Sequence, residues 1–415
     1  LTTKATLQSH LTGIPWDTIP RAYQDAITAT HRLGLEYIWI DSLCIVQDSH
    51  EDWLRESKRM GAVYENARLT IAASHASDSS QPCFFKRPQL PTAVKLPHIS
   101  RTGEAEGSIF AAPMPIDYSS ISPEDGPLAT RAWATQEWLL SRRMIFYTAG
   151  SLAWSCKVIS QRETGGSFHS TARNPRWKNL IEKYSARSLT QASDRLIALE
   201  GLRTEMGMKR VGDTYCFGLW KHSMPDQLLW FCKEPAERTK SPLTLPTWTW
   251  ASSMHGVRFL ENTGKNACKG FQFDEASGTL IVHSASRVAT ISGASTPNTL
   301  TRPSEPATLP INEQEGIRPD MLCDLRSHDG TVIGWGVIDE ELPQADTDIL
   351  CLWLMSRKVK PASTDSDIPT RYQDFVLLLR QLDSFTEVYT RVGAGSITGK
   401  KTWFDDLPPT KVYIR

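Results

Sequence analysis

The apolar run Tyr37-Ile38-Trp39-Ile40 passes directly into a polar cluster, in which Asp41, Ser42, Cys44, Gln47 and Asp48 alternate with Leu43, Ile45 and Val46. Such a run reads as a short buried strand. In α/β folds, ligand-contacting groups collect at the carboxyl ends of strands. Upstream, Ala22, Ala26, Ala29 and Leu33, with Tyr23 and Ile27 beside them, form one face of a helix over 18–33. Thr18 is its candidate N-cap, Pro20 lies near the first turn and Gly34 follows the end. Downstream, Ser49 and Asp52 stand at capping-box spacing ahead of a helix from Asp52 to Asn66. That helix carries Trp53, Met60, Val63, Tyr64 and Ala67 on one side. Leu69 to Ala73 reads as a second strand. Strand, helix and strand in this order predict a right-handed, parallel βαβ unit.

Residues 76–128 are rich in Ser, Pro and Gly and predict a long excursion with one or two short strands. Periodicity returns in 130–143, where Trp133, Gln136, Glu137 and Leu140 share a helix face. Met144–Tyr147 and Leu152–Cys156 predict adjacent strands. Residues 175–235 read as mainly helical. From 245 onward short β-type runs alternate with polar links such as 289–318 and 357–370, which predicts a mostly antiparallel region. The expected division is an α/β domain over 1–160, a helical connection over 161–240 and a β-rich region over 241–415.

Composition narrows the partners. The 415 residues carry 46 Lys+Arg against 46 Asp+Glu, so net charge supplies no attraction to nucleic acid or to an anionic membrane. No apolar run reaches the length of a membrane span. The eight cysteines are scattered, with no C-x-x-C pair or Cys/His ligand spacing. This points to free, mostly buried thiols in a reducing, cytoplasmic setting and to no metal site. The chain begins at Leu1 rather than Met, the expectation for a piece of a longer protein. Fourteen tryptophans predict a well-filled core and an aromatic-walled pocket.

Two groups of residues could carry chemistry. In the first, Asp41, Cys44 and Asp48, with His50 nearby, could serve as nucleophile and acid/base. The competing reading makes Cys44 a buried small hydrophobe and Asp41 a ribose ligand or turn cap. In the second, Glu137 stands among Arg131, Trp133 and Gln136. A carboxylate beside tryptophan loses hydration, which suits acid/base work or stabilisation of an oxocarbenium-like centre. The competing reading pairs Glu137 with Arg131, Arg142 or Arg143 as a structural ion pair. Arg142-Arg143 could bind phosphate or end a solvated helix. The Gly-x-Gly at 393–395 lacks the rest of a dinucleotide fingerprint and reads as a β-turn.

Three blocks together resemble the fungal heterokaryon incompatibility (HET) domain: IPRAYQDAI at 19–27, LGLEYIWIDSLCIVQDSHEDWLRESKRMGAVYENARLTIAA at 33–73, and RAWATQEWLLSRRMIF at 131–146 with the following WSC. LPTWTWAS at 245–252, GLW at 218–220 and RVGAGSI at 391–397 are similar to the tails of such proteins. Members usually begin with a strand block of the SYVWG kind, which is absent ahead of Leu1. Its loss would remove a central strand and part of any pocket. The resemblance implies a TIR/flavodoxin-like parallel sheet with flanking helices, because the HET core is distantly similar to Toll/interleukin-receptor (TIR) domains. It also implies a role in fungal non-self recognition and regulated cell death. Some TIR domains cleave NAD+ with a glutamate in a WCxxEL motif; WATQEWL is similar and places Glu137 on that glutamate.

The implied site has Glu137 and Asp41 as catalytic residues. Trp39, Ser42, Cys44, Asp48, Arg131, Trp133 and Gln136 would surround a nucleotide-type ligand, with NAD+ as substrate and no cofactor required. Protein partners or self-association belong to the same expectation. Two further readings are a non-catalytic self-associating signalling module and a HET-like enzyme of secondary metabolism using Cys44 or Asp41. In spatial terms, the 41–48 turn and Glu137 are expected to face one pocket.

Overall fold

The computed structural model describes residues 1–84, 92–100, 103–112, 126–163, 167–168, 175–234, 244–291, 317–341, 343, 345–359 and 371–415. The chain divides into two compact units, one of residues 1–175 and 197–204, the other of 176–196 and 205–415.

The first unit contains α1 (Leu7–Thr12), α2 (Arg21–Arg32), α3 (Asp41–Cys44) and α4 (His50–Asn66). These are followed by β1 (Thr70–Ala72), β2 (Val94–Ile99), β3 (Ala105–Ala111), α5 (Ala134–Leu140), β4 (Arg143–Tyr147), β5 (Leu152–Cys156) and β6 (Ser160–Arg162). α2 opens after Pro20, so Thr18 lies in the preceding turn and not at the cap. α4 is capped as its sequence indicates, with Ser49 accepting from the Asp52 amide. The sheet runs β1-β4-β5-β6. β1 and β4 are parallel, and β4–β5 and β5–β6 are antiparallel. Trp138 from α5 packs with Met144, Phe146 and Ala153 beneath it. β2 and β3 form a separate hairpin within the 76–128 excursion. Segments 85–91, 101–102 and 113–125 of that excursion lie outside the described residues, as do 292–316 and 360–370 of the two later links.

The expected strand over 36–40 is not formed. The segment is extended at Ile40, yet it belongs to no sheet, and Tyr37 is 88% exposed. A strand is defined by its ladder, and no described strand runs beside this one, so the expected βαβ unit is not completed either. What stands is a mixed α/β unit whose sheet holds one parallel pair.

The second unit opens with α6 (Trp177–Ser185). α7 (Asp194–Ile197) and α8 (Glu200–Met208) follow in the chain, with Ile197–Thr204 belonging to the first unit. Then come β7 (Tyr215–Cys216), β8 (Leu219–Trp220), α9 (Met224–Gln227), β9 (Trp230–Cys232), β10 (Val257–Phe259) and β11 (Lys265–Asn266). The β-rich part continues with β12 (Gly270–Asp274), β13 (Thr279–Ser284), β14 (Ser286–Ile291), β15 (Leu322–Arg326), β16 (Val332–Ile338), β17 (Thr347–Val359), β18 (Arg371–Gln381), β19 (Val388–Gly399) and β20 (Thr410–Ile414). β14 pairs with β15, β15 with β16, β16 with β19, β19 with β18, β18 with β17, and β17 returns to β14, each pair antiparallel. These strands therefore close a barrel, and closure leaves its ring without an edge. Cys323, Leu325, Cys351, Val376, Leu378 and Ile397 belong to its buried cluster. Burial pushes the Cys323 thiol up to about 12.

Gly393 and Gly395 do not make the expected turn. They lie within β19, facing Val337 and Gly336 of β16 and the adjoining Trp335 carbonyl. A Cβ at either position would collide with a β16 carbonyl oxygen, so glycine is what allows this close backbone approach.

The tryptophans divide between two roles. Six of the fourteen are buried: Trp138, Trp177, Trp220, Trp230, Trp248 and Trp250. All but Trp138 belong to the second unit, where the indole N–H groups of four of them also tie loops together. Trp177 and Trp250 both donate to the Gly218 carbonyl, at 2.8 and 2.9 Å. Trp230 donates to Trp248 O and Trp248 to Gly278 O, each at 3.0 Å.

The most deeply buried charge is Arg391, 0% exposed, paired with the equally buried Asp339. Arg391 also donates to Trp230 O and stacks its guanidinium on the Trp230 ring. Asp339 accepts from the Cys232 amide at 2.8 Å. One ion pair thus fastens the β9 segment to β16 and β19. Breaking such a pair leaves one buried charge uncompensated. Arg391→Met is expected to lower stability by about 3–5 kcal/mol, and Arg391→Met/Asp339→Leu to recover part of that loss. Urea denaturation followed by near-ultraviolet circular dichroism reads both.

Candidate functional site

A cavity of about 790 Å³ lies in the first unit. Its walls are residues 35–41 and 67–71, together with side chains of α2 and α4. Ala22 and Ala26 give α2 a small-residue face there, and Val63 and Tyr64 do the same service for α4 with larger groups. Asp41, Arg131 and Glu137 bring opposite charges into the same space.

Local structure explains how these groups arrive. Asp41 begins α3, a single turn stopped by the extended Ile45. Its carboxylate accepts from the Ser42 amide at 2.7 Å. Asp52, in the first turn of α4, accepts from the Val46 amide at 2.8 Å and so holds the 41–48 turn against the helix start. Buried Ser42 donates to the Tyr23 hydroxyl at 3.0 Å, tying the turn to α2. On α5, Trp138 and Leu140 go into the core. Successive helix positions point in different directions, so burial of Trp138 leaves Glu137 to another side, where it lines the cavity.

Tyr64 joins the two groups. Its ring meets Trp39 edge-on at 5.8 Å. Tyr64 and Glu137 line the same cavity. Burial pushes the phenol well above its ordinary range, and the negative charges of Glu137 and Asp41 push the same way against the opposing Arg131. The phenol therefore stays protonated across neutral pH. Sequence periodicity placed Tyr64 only on the packing side of its helix. Nothing in its local pattern marks its place beside a residue more than seventy positions away.

Of the residues singled out in the sequence, Trp39, Asp41, Arg131 and Glu137 line the cavity, and Ser42, Cys44, Asp48, Trp133 and Gln136 do not. Asp48 accepts from the Lys4 amide at 2.7 Å. Gln136 is 1% exposed and accepts from the Gly201 amide at 2.8 Å. A Cβ at Gly201 would come within 2.8 Å of that same oxygen, so the glycine admits the contact. Cys44 is exposed, which corrects its reading as a buried core thiol. The next residue, Ile45, is buried instead. Arg142 pairs with Glu65 at 3.5 Å on the surface. Among the described residues no cluster of His, Cys, Asp and Glu could hold a metal ion, and no helix is long and apolar enough to cross a membrane.

Residues 2–137 match the family model described as heterokaryon incompatibility protein (HET). This segment is similar to the HET domain. The match ends at Glu137, so every residue named around the cavity falls inside the matched segment and the barrel falls outside it. No curated protein and no solved structure matches the chain.

The linkage between Tyr64 and Glu137 gives a pH signature. One cause that raises the Tyr64 pKa, the Glu137 charge, disappears with the carboxylate. In Glu137→Gln the phenol is expected to titrate at lower pH, and in Glu137→Gln/Asp41→Asn lower still. Tyrosinate absorbance across alkaline pH reads this, with Tyr64→Phe assigning the signal. An unchanged Tyr64 titration in both variants would disprove the coupling.

Proposed function

We propose that the HET domain acts in fungal non-self recognition and regulated cell death by cleaving the nicotinamide ribosyl bond of a nucleotide such as NAD+. The observation that carries this reading is Glu137, placed in one cavity with Asp41 and Tyr64. A cavity of about 790 Å³ lies in the size range of small-molecule sites, and a largely apolar wall with a few convergent polar groups is their usual chemistry. The similarity of WATQEWL to the glutamate motif of NAD+-cleaving TIR domains adds to it.

In this mechanism the bond between ribose and nicotinamide lengthens and positive charge develops on the ribose. The Glu137 carboxylate stabilises that oxocarbenium-like centre. Nicotinamide leaves as a neutral base, and water attacks the ribose carbon to complete hydrolysis. Tyr64 stands in the same wall as Glu137. Asp41 accepts from a ribose hydroxyl, Trp39 offers a stacking wall, and Arg131 supplies positive charge for the pyrophosphate. Cys44, exposed and outside the lining, gives no support to thiol chemistry in this cavity.

Purified protein incubated with NAD+ is expected to release nicotinamide, and Glu137→Gln to slow release by about 10²–10³-fold, the usual effect of removing one electrostatic stabiliser. Chromatographic detection of nicotinamide reads both. No release from the self-associated wild-type protein, or equal release from the variant, sinks the mechanism. Killing that persists in Glu137→Gln cells would favour a non-catalytic signalling module.

A further inference from the structure

Glu137 sits on α5, a helix of seven residues. A helix that short has little stability of its own, so its rotation about its axis is set by what it touches. Trp138 and Leu140 are buried on one side of it. Its end is held by Ser141, which donates to the Glu137 carbonyl at 2.6 Å and shares a 2.7 Å hydrogen bond with Thr70 of β1. Its first turn is held by Gln136, whose side-chain oxygen accepts from the Gly201 amide at 2.8 Å. Gly201 is the second residue of α8, and amides at a helix start have no partner within the helix. The Gln136 oxygen supplies one. Three helices meet here through two glycines. A Cβ on Gly61 of α4 would lie 3.2 Å from Gly201 Cα and from Leu140 Cδ1. A Cβ on Gly201 would lie 2.8 Å from Gln136 Oε1 and from Leu140 Cδ1. Gly61 stands one turn before Tyr64 on the same side of α4. Gly201 belongs to Ile197–Thr204, a stretch of the first unit whose flanks on both sides belong to the second. That stretch lies outside the segment that matches the family model.

We propose that Ile197–Thr204 belongs to the working site, and that Gln136 is a positioning residue which aims the Glu137 carboxylate through its bond to Gly201. On the nucleotide-cleavage reading, on which this inference rests, Glu137 must meet the charge that develops on the ribose. Gln136 and Glu137 are neighbours on one helix, about 100° apart around its axis, so neither turns without the other. Turning α5 by about 10°, at a side-chain radius of about 5–6 Å, moves the carboxylate by about 1 Å. A misplacement of about that size costs about 10²-fold in rate. Gln136 itself is buried and does not line the cavity, so it acts through Glu137 and not on the substrate.

The test uses the full chain throughout. In Gly201→Ala the new methyl meets the far ends of two flexible side chains, and alanine is the better helix former. The variant is therefore expected to fold, with a thermal midpoint within a few degrees of wild type, while Gln136 Oε1 is displaced. Nicotinamide release from NAD+ should lose about tenfold or more in kcat, with KM changed less than about threefold, because Glu137 acts on the transition state and not on the bound substrate. Gln136→Met keeps the length of the side chain without the acceptor and should do the same. The double variant Gly201→Ala/Gln136→Met should be no slower than the slower single variant, since both break one contact. The alkaline titration of Tyr64 senses the Glu137 charge and reads the displacement without turnover. In both single variants it should move to lower pH, towards its position in Glu137→Gln. Wild-type kcat and an unmoved Tyr64 titration in folded Gly201→Ala overturn the inference, and so does a loss confined to stability or to KM. If the wild-type protein releases no nicotinamide, the cleavage reading fails by itself, and the Tyr64 titration still decides whether Gln136 places Glu137: unmoved in both single variants, it overturns that as well.

Discussion

Each peptide group in an extended chain needs a partner for its N–H and its C=O, and this one demand shapes both units. The C-terminal strands meet it by closing on themselves, β17 pairing with both β14 and β18. Among the described residues the first unit meets it only in part: β4 is paired on both sides, β1 with β4 alone, and residues 36–39 belong to no sheet. The cavity is lined by residues of both stretches.

Charge is handled differently in the two units. In the second unit, Arg391 and Asp339 are taken wholly out of water and must therefore satisfy each other and the Trp230 and Cys232 main chain. Such a pair fixes geometry more than it adds stability. In the first unit, Asp41, Arg131 and Glu137 border a cavity, where burial, with the two carboxylates adding to it, raises the Tyr64 phenol. The first arrangement has no opening for a ligand. The second is the kind in which perturbed titration accompanies function.

The sequence by itself determined the local elements. Ser49 ahead of an amphipathic run became the N-cap of α4. The apolar runs at 144–147 and 152–156 became paired strands. Of the short β-type runs after 245, the one at 248–252 became a 3-10 turn and the later ones strands of a mostly antiparallel sheet. The blocks at 19–27, 33–73 and 131–146 carried the HET resemblance. These features depend on neighbours within a few positions, where periodicity and capping speak directly. Only the tertiary structure decided which polar residues share a space. Asp41 and Glu137 meet in the cavity, while Gln136, adjacent in sequence to Glu137, turns to Gly201. Tyr64 entered the site through a contact that no local pattern encodes. Tyr37–Ile40 had every mark of a strand but lacks one thing no short window contains, a partner beside it. The glycines at 393 and 395 had the mark of a turn and became close contacts inside β19, because a strand far away in the chain presses on them. In each case spacing along the chain set the preference, and long-range pairing set the outcome.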